Sequence, residues 1–130
     1  MARKILIIDD NPDDREIMRF VLNDLGRKEE LEFAQSGNLV LERLRGGDDQ
    51  PSIIFLDLKL PNMSGIEILR QIRAVERLDD IPVIIVTGSS HPKDEKEVME
   101  AGADGFVCKA HDIDQFCSDI NAILQCFLTG

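Results

Sequence analysis

The stretch Ile53-Ile54-Phe55-Leu56-Asp57-Leu58-Lys59-Leu60-Pro61 decides how this chain folds. Its first four residues are apolar without alternation, which indicates a short strand buried on both faces in the middle of a parallel sheet. Asp57 then lies at the carboxyl end of that strand, the edge at which open α/β sheets hold their ligands. An acid in this position is either a helix cap or a functional group, and its isolation among apolar residues favours a functional group.

Four further segments have the character of strands. Lys4–Ile8 and Pro82–Thr87 are almost wholly apolar, Leu31–Ala34 alternates in part as an edge strand does, and Phe106–Cys108 is brief. Helical patterns separate the strands, and they begin at caps such as Asn11, Ser36 and Ser64 and end at glycines. The apolar residues expected on the helix faces include Ile17, Leu39, Met99 and Ile113.

Five strands alternating with five helices predict an α/β fold, a flavodoxin-like (βα)5 doubly wound parallel sheet. Right-handed crossovers leave few topologies, and the strand order 2-1-3-4-5 fits best. The chain has 130 residues, which is the size of one full hydrophobic core. We therefore expect a single domain over residues 1–130.

The composition limits the classes of partner. The formal net charge of -10 argues against nucleic acid and against an anionic membrane as direct partners. The amino terminus lacks the apolar stretch of a signal peptide, and no segment is long enough to span a bilayer. A cytoplasmic protein is the expectation.

The strand order brings several polar side chains to one edge of the sheet. Asp9 and Asp10 follow the first strand and Asp57 follows the third, while Thr87 and Lys109 end the fourth and fifth. Three carboxylates this close repel one another unless a positive group sits among them. Oxygen ligands alone favour a hard cation, Mg²⁺ before Ca²⁺, and Lys109 adds a second positive charge.

These elements together resemble the receiver domain of two-component response regulators, a likeness that covers essentially the whole chain. The features that carry it are the pair Asp9-Asp10, then Asp57, Thr87 and the motif Phe106-x-x-Lys109, each at the end or start of the corresponding strand.

The resemblance implies that Asp57 accepts a phosphoryl group from a sensor histidine kinase or a phosphotransfer protein in a Mg²⁺-dependent reaction. It also implies that Asp10, Asp57 and the backbone carbonyl of Lys59 hold the ion, while Asp9 orients a metal-bound water. Such a domain is a signalling phosphoacceptor that catalyses only its own phosphorylation and dephosphorylation.

The resemblance further implies a switch. Lys109 pairs with one phosphoryl oxygen, the Thr87 hydroxyl donates to another, and the inward movement of Thr87 allows the aromatic ring of Phe106 to rotate. The rearranged surface then changes contacts with a downstream protein target. The face formed by the fourth helix, fifth strand and fifth helix is the expected contact surface for such a target or for a homodimer.

The chain departs from the usual receiver pattern at several positions. Receivers usually carry a cis-proline after the lysine of the fifth strand, but this chain has Ala110, so we expect a trans bond after Lys109 because a cis bond before a non-proline residue costs about 2.5–4 kcal/mol. Lys59 and Ser89 stand two residues beyond Asp57 and Thr87, where the family tunes phosphate lifetime. Neither side chain carries an amide to orient water, which predicts a phosphorylated state lasting minutes or longer.

Two other function classes remain open at this point. A phosphatase of the haloacid-dehalogenase type also forms an aspartyl phosphate, but it normally carries a second Asp where this chain has Lys59. A flavodoxin-like redox protein would need a loop rich in Ser, Thr and Gly after the first strand to hold phosphate. The acidic segment 9–14 has the opposite charge character.

Overall fold

The computed structural model describes residues 3–47, 49–60, 63–88, 92–109 and 112–128. The strands are β1 (Lys4–Ile8), β2 (Glu30–Ala34), β3 (Ile53–Leu56), β4 (Val83–Thr87) and β5 (Gly105–Cys108). The helices are α1 (Pro12–Asp24), α2 (Gly37–Arg45), α3 (Gly65–Arg73), α4 (Pro92–Glu100) and α5 (Ile113–Phe127), with a short 3-10 helix at Glu76–Leu78. Pro61, Ser89 and the bond between Lys109 and Ala110 lie outside the described residues.

All five strands are parallel and occur in the order β2-β1-β3-β4-β5, which confirms the predicted flavodoxin-like topology. The apolar runs of β1, β3 and β4 occupy the three central positions, where both faces of a strand are covered by helices. The partly alternating β2 lies at an edge, as its pattern predicted. None of the helices in the described part of the chain combines the length and apolarity that a bilayer span requires.

The sheet separates two hydrophobic cores. One contains apolar residues of α1 and α5, among them Val21, Leu22 and Ile120, packed on Ile5, Ile7 and Phe55. The other contains residues of α2, α3 and α4, including Leu44, Ile68 and Val98, packed on Leu6, Ile54 and Ile85. Successive residues of β1 and β3 thus enter opposite cores, since side chains alternate between the faces of a sheet.

Four apolar residues that the helical patterns assigned to core-facing stripes are exposed. Their exposed fractions are 40% for Ile17, 67% for Leu39, 44% for Met99 and 47% for Ile113. The expectation that they pack on the sheet is wrong. Ile17 and Met99 lie beside the buried residues of their helices, Leu39 lies on the face of α2 opposite its buried residues, and Ile113 is the first residue of α5. In α4, Val98 is the buried residue among positions 94–100.

Three helix boundaries show how local chemistry acts. The Asn11 side chain accepts hydrogen bonds from the backbone N–H groups of Asp13 and Asp14, as its predicted capping role requires. Ser36 occupies the cap position of α2, which confirms the predicted start of the helix. Its side chain makes no capping hydrogen bond, so its predicted role as a cap is wrong. Gly26 ends α1 with a φ of +71°, a conformation that glycine adopts without strain.

A charged network braces the β2 edge of the sheet. The Arg43 guanidinium of α2 donates two hydrogen bonds to the Glu32 carboxylate of β2, at 2.6 and 2.9 Å, and the Lys4 ammonium lies 3.4 Å from the same carboxylate. Hydrogen bonding from Arg43 lowers the pKa of Glu32 below its ordinary value of 4.5, despite the opposing effect of burial. The lowered pKa means that the ionised carboxylate stabilises the folded chain.

We expect Glu32→Gln to lower the free energy of unfolding by about 1 kcal/mol at pH 7. Because the folded-state pKa is depressed, this stabilisation is complete above the unfolded pKa near 4.5 and is lost as the pH falls through the folded pKa. Urea titrations at pH 7 and below pH 4.5 should therefore show the gap between variant and wild type closing in acid. Glu42→Gln, at an exposed position of α2, is the matched control; a gap independent of pH would contradict the assignment to charge.

Candidate functional site

Two aspartates lie side by side at the carboxyl edge of the sheet because their strands are in register. Ile8 of β1 pairs with Leu56 of β3, so the next residues, Asp9 and Asp57, are neighbours. The backbone N–H of Asp57 donates to the carbonyl of Ile8 at 3.0 Å, which continues the ladder to the site. Both carboxylates are buried, and the structure therefore places two negative groups where little water can solvate them.

The ammonium of Lys109 sits at the centre of this acidic cluster. Its Nζ lies 2.7 Å from Oδ2 of Asp9, 3.0 Å from Oδ2 of Asp14 and 3.2 Å from Oδ2 of Asp57. An ammonium group has three N–H donors, so these three acceptors match its full capacity. Lys109 is thus the second positive charge that was predicted for this cluster beside a cation.

The pKa values reflect this mixture of burial and charge. Burial raises the pKa of Asp57 above its ordinary value, and the charge of Lys109 opposes that effect without cancelling it. Burial acts to lower the pKa of Lys109, but hydrogen bonds to Asp9 and Asp14 and the charges of Asp57 and Asp9 outweigh it, so its pKa is raised. Lys109 is therefore firmly charged at neutral pH, and Asp57 carries a carboxylate poorly compensated by its surroundings.

Asp10 completes a group of carboxylates suited to a cation. Asp9, Asp10 and Asp57 each offer one oxygen, and these three oxygens lie within 4.8 Å of one another. Asp10 is exposed whereas Asp9 and Asp57 are buried, so the group opens toward solvent on the side of Asp10. Carboxylate oxygens without nitrogen or sulfur ligands suit Mg²⁺.

The loop after Asp57 is held by backbone contacts. The N–H of Lys59 donates to Oδ1 of Asp57 at 3.2 Å, while the Lys59 side chain is exposed. Gly65, the first residue of α3, packs so closely that a Cβ there would lie 2.3 Å from the backbone oxygen of Asp57. Only glycine fits, and the start of α3 thus supports the loop that presents the Asp57 carboxylate.

Thr87 and Phe106 connect the site to the rest of the sheet. The Thr87 side chain is fully buried, and the backbone carbonyl of Thr87 accepts a 2.7 Å hydrogen bond from the backbone N–H of Lys109. Phe106 pairs with Ile85 in the ladder and is half-buried, packed against the core that contains α4. The structure thus brings Asp9, Asp10, Asp57 and Lys109 together, joins Thr87 to them through the backbone, and leaves Phe106 on the core side of β5.

Sequence reasoning missed two contributors. It gave Asp14 no role in the site, whereas the structure directs its carboxylate to Lys109. It gave no role to Arg15, whose guanidinium donates to the carbonyl of Asp9 at 2.9 Å. A usable signal was present for Asp14, because a residue in the first turn of α1 must lie near the carboxyl edge of β1.

A cleft of about 340 Å³ opens beside these residues and is lined by Asp14, Asp57, Lys59, Gly88 and Lys109. Its lining carries charges of both signs and one glycine. The cleft gives a small anionic group access to the Asp57 carboxylate and to the Lys109 ammonium at once.

Comparison with known proteins gives a consistent result. The family model described as response regulator receiver domain matches residues 5–121. The chemotaxis protein CheY of Pseudomonas aeruginosa is 38% identical over 106 residues, which cover 82% of this chain and 83% of that protein. A probable cyclic di-GMP phosphodiesterase of Vibrio cholerae is 36% identical over 121 residues, 93% of this chain and 26% of that protein.

The chain therefore spans only about a quarter to a half of several curated relatives, among them the phosphodiesterase. Among solved structures, the receiver domain of sensor histidine kinase PA1611 from P. aeruginosa, with a magnesium ion in its active-site cleft, superposes with a TM-score of 0.81. The two chains are 22% identical and each is covered completely, so this likeness concerns the fold.

Proposed function

Because this chain belongs to the response regulator receiver domain family of two-component signalling, we propose that Asp57 is its phosphoacceptor. The phosphoryl donor is a sensor histidine kinase or a phosphotransfer protein. The observation that carries this assignment is the Asp57 carboxylate itself, buried at the end of the central strand, 3.2 Å from the Lys109 ammonium and open to the cleft. The family match gives no support to a haloacid-dehalogenase-type phosphatase or a flavodoxin-like redox protein.

The donor set fits a divalent cation. The site contains four carboxylates, those of Asp9, Asp10, Asp14 and Asp57, and the Lys109 ammonium contacts three of them. We assign the Mg²⁺ ligands to Asp10, Asp57 and the backbone carbonyl of Lys59, with Asp9 orienting a metal-bound water. When bound, the ion supplies positive charge to the phosphoryl oxygens. A solved receiver domain of the same fold holds magnesium in its cleft.

The chain's own residues perform the transfer. A carboxylate oxygen of Asp57 forms a bond to phosphorus as the bond from phosphorus to the donor nitrogen breaks, and that electron pair leaves with the donor imidazole. Lys59 N–H and Lys109 Nζ hold the two Asp57 oxygens and so fix the direction of attack. Lys109 and the Thr87 hydroxyl then donate to phosphoryl oxygens.

The resulting acyl phosphate adds about 1.5 to 2 negative charges at the rim of the sheet. In this proposal that charge draws Thr87 inward, and Phe106, which lies on the adjacent strand, changes its packing. The domain catalyses only its own phosphorylation and dephosphorylation. Its output is therefore a change in protein contacts and not turnover of a separate substrate.

The face formed by α4, β5 and α5 is the proposed output surface, for a downstream protein target or a homodimer. It is supported by the weak anchoring of α4, in which Val98 is the buried side chain among residues 94–100. We expect neither nucleic acid nor a membrane as a direct partner, in line with the net charge of -10. We propose that residues 1–130 form one receiver domain that acts in the cytoplasm, where histidine kinases draw on ATP.

The phosphoacceptor assignment is tested by incubating the protein with acetyl phosphate, with and without Mg²⁺. We expect the intact mass to rise by one phosphoryl group in Mg²⁺ and to stay unchanged in EDTA, since the carboxylates otherwise repel the donor. Borohydride reduction of the acyl phosphate followed by peptide mapping should locate the label at Asp57. Labelling that is equal in EDTA, or that maps elsewhere, would refute the site.

A further inference from the structure

Asp14 makes a contact in this site that the phosphoacceptor assignment does not use. It stands in the first turn of α1, and its Oδ2 lies 3.0 Å from the Lys109 Nζ, nearer than the 3.2 Å between that Nζ and Asp57. Asp14 also lines the cleft that gives access to Asp57. A carboxylate in this place neutralises part of the Lys109 charge, which an incoming phosphoryl group needs.

We propose that Asp14 is a positioning residue that restrains Lys109 in the resting state, and that its negative charge sets how readily Asp57 is phosphorylated. The inference rests on the proposed function of Asp57 and adds to it a regulator of the same site.

Asp9, Asp14 and Asp57 occupy all three N–H groups of the Lys109 ammonium. Lys109 can donate a full hydrogen bond to a phosphoryl oxygen only if it weakens its hydrogen bond to one of these partners. The partner that yields is the one whose carboxylate water can solvate most easily.

Exposure identifies that partner as Asp14. The exposed fractions of the three side chains are 4% for Asp9, 10% for Asp57 and 30% for Asp14. Asp9 also has the shortest contact, 2.7 Å, and its other carboxylate oxygen accepts the N–H of Asn11. Release of Asp9 would strand a buried charge, whereas release of Asp14 returns a carboxylate to solvent at little cost.

The charge of Asp14 acts in the same direction through space. The phosphoryl group enters a cleft that Asp14 lines, and like charges in one cleft raise the free energy of the phosphorylated state. Asparagine at this position has nearly the same shape and retains a hydrogen-bond acceptor, but it removes the charge. The substitution therefore weakens both the restraint on Lys109 and the repulsion of the phosphoryl group.

A neighbouring residue provides a matched control. Asp13 lies in the same turn of α1 and makes the same contribution to the helix dipole, but it is exposed and makes no ion pair with Lys109. Asp13→Asn thus reproduces the change in net charge and helix-end charge without altering the restraint. Asp14→Glu keeps the charge and serves as the conservative variant.

The experiment measures fluoroberyllate binding in Mg²⁺ by ¹⁹F NMR and phosphorylation by acetyl phosphate from intact mass. We expect Asp14→Asn to raise fluoroberyllate affinity and the phosphorylation rate about three- to fivefold, the size of one partly exposed ion pair. The gain should shrink in high salt, which a purely structural role would not cause. Asp13→Asn and Asp14→Glu should remain within twofold of wild type, and urea titration checks that all variants fold.

Two results would overturn the role of Asp14 while leaving Asp57 intact. One is a wild type labelled at Asp57 with Asp14→Asn labelled no faster and binding fluoroberyllate no more tightly. The other is an equal gain in Asp13→Asn, which would make net charge the cause. If the wild type itself takes no label at Asp57, the proposed function fails and the role of Asp14 falls with it.

Discussion

Asp57→Asn is expected to abolish stable labelling by acetyl phosphate in Mg²⁺, the largest functional effect of any single substitution in this chain. The amide lacks the anionic oxygen that attacks phosphorus, and it removes one proposed ligand of the ion. Asn nearly matches Asp in shape, so the contacts of the neutral part of the side chain remain. Intact mass after incubation, compared with wild type under the same conditions, measures the loss.

A stability measurement distinguishes this loss of labelling from unfolding of the Asp57→Asn variant. Burial raises the pKa of Asp57, which means that the folded chain holds the proton more tightly than the unfolded chain does. Above that pKa the ionised side chain therefore destabilises the fold, and the neutral amide should leave metal-free protein at least as stable as wild type at pH 7. Urea titration in EDTA tests the sign. Labelling of the variant at the wild-type level would show that the phosphoacceptor is another residue.

Lys109→Met is expected to have the largest effect on stability and a large effect on rate. Three carboxylates contact the ammonium in the folded chain, and removal of a buried partner leaves uncompensated charge. We expect the free energy of unfolding in EDTA to fall by about 3 kcal/mol. The rate of phosphorylation should fall about a hundredfold, since one preorganised donor to the developing charge is lost.

The addition of Mg²⁺ separates the effect of Lys109→Met on stability from its effect on the rate of phosphorylation. Because Mg²⁺ brings positive charge to the same carboxylates, it should restore much of the stability of Lys109→Met, yet the rate should remain low without the donor. Lys28→Met, at an exposed position remote in sequence from the site residues, controls for the loss of one lysine. A variant that is phosphorylated at the wild-type rate would exclude Lys109 from charge stabilisation, and a variant of unchanged stability in EDTA would contradict the ion-pair account.

Much of the fold was accessible from local patterns. The unalternating run Ile53–Leu56 predicted a central strand, and the partly alternating segment at Leu31–Ala34 predicted an edge strand; the structure confirms both. The alternation of helices and strands then limited the sheet order, because right-handed crossovers allow few arrangements, and the order that fits best is the one observed. Assignment of individual helix residues to the core was less accurate, as the exposure of Leu39 and Ile113 shows.

Some contacts of the site could likewise be predicted from the sequence, and others could not. Parallel strands that are neighbours end at the same edge of the sheet, so the meeting of Asp9 and Asp57 could be predicted, and the pairing of Ile8 with Leu56 agrees with it. The contact between Asp14 and Lys109 joins residues 95 positions apart and depends on how α1 tilts over the sheet. The close approach of Gly65 to the Asp57 backbone likewise depends on where α3 begins in space.

Local sequence patterns were enough to predict the strands and the acidic residues at their carboxyl ends, because periodicity and strand-end chemistry act over a few neighbouring residues. Tertiary structure alone decided which three carboxylates share the ammonium of Lys109, and which of them remains exposed enough to release it. Those choices depend on ångström-scale distances between elements far apart in the chain. No local pattern records such distances, since packing of the whole core sets them.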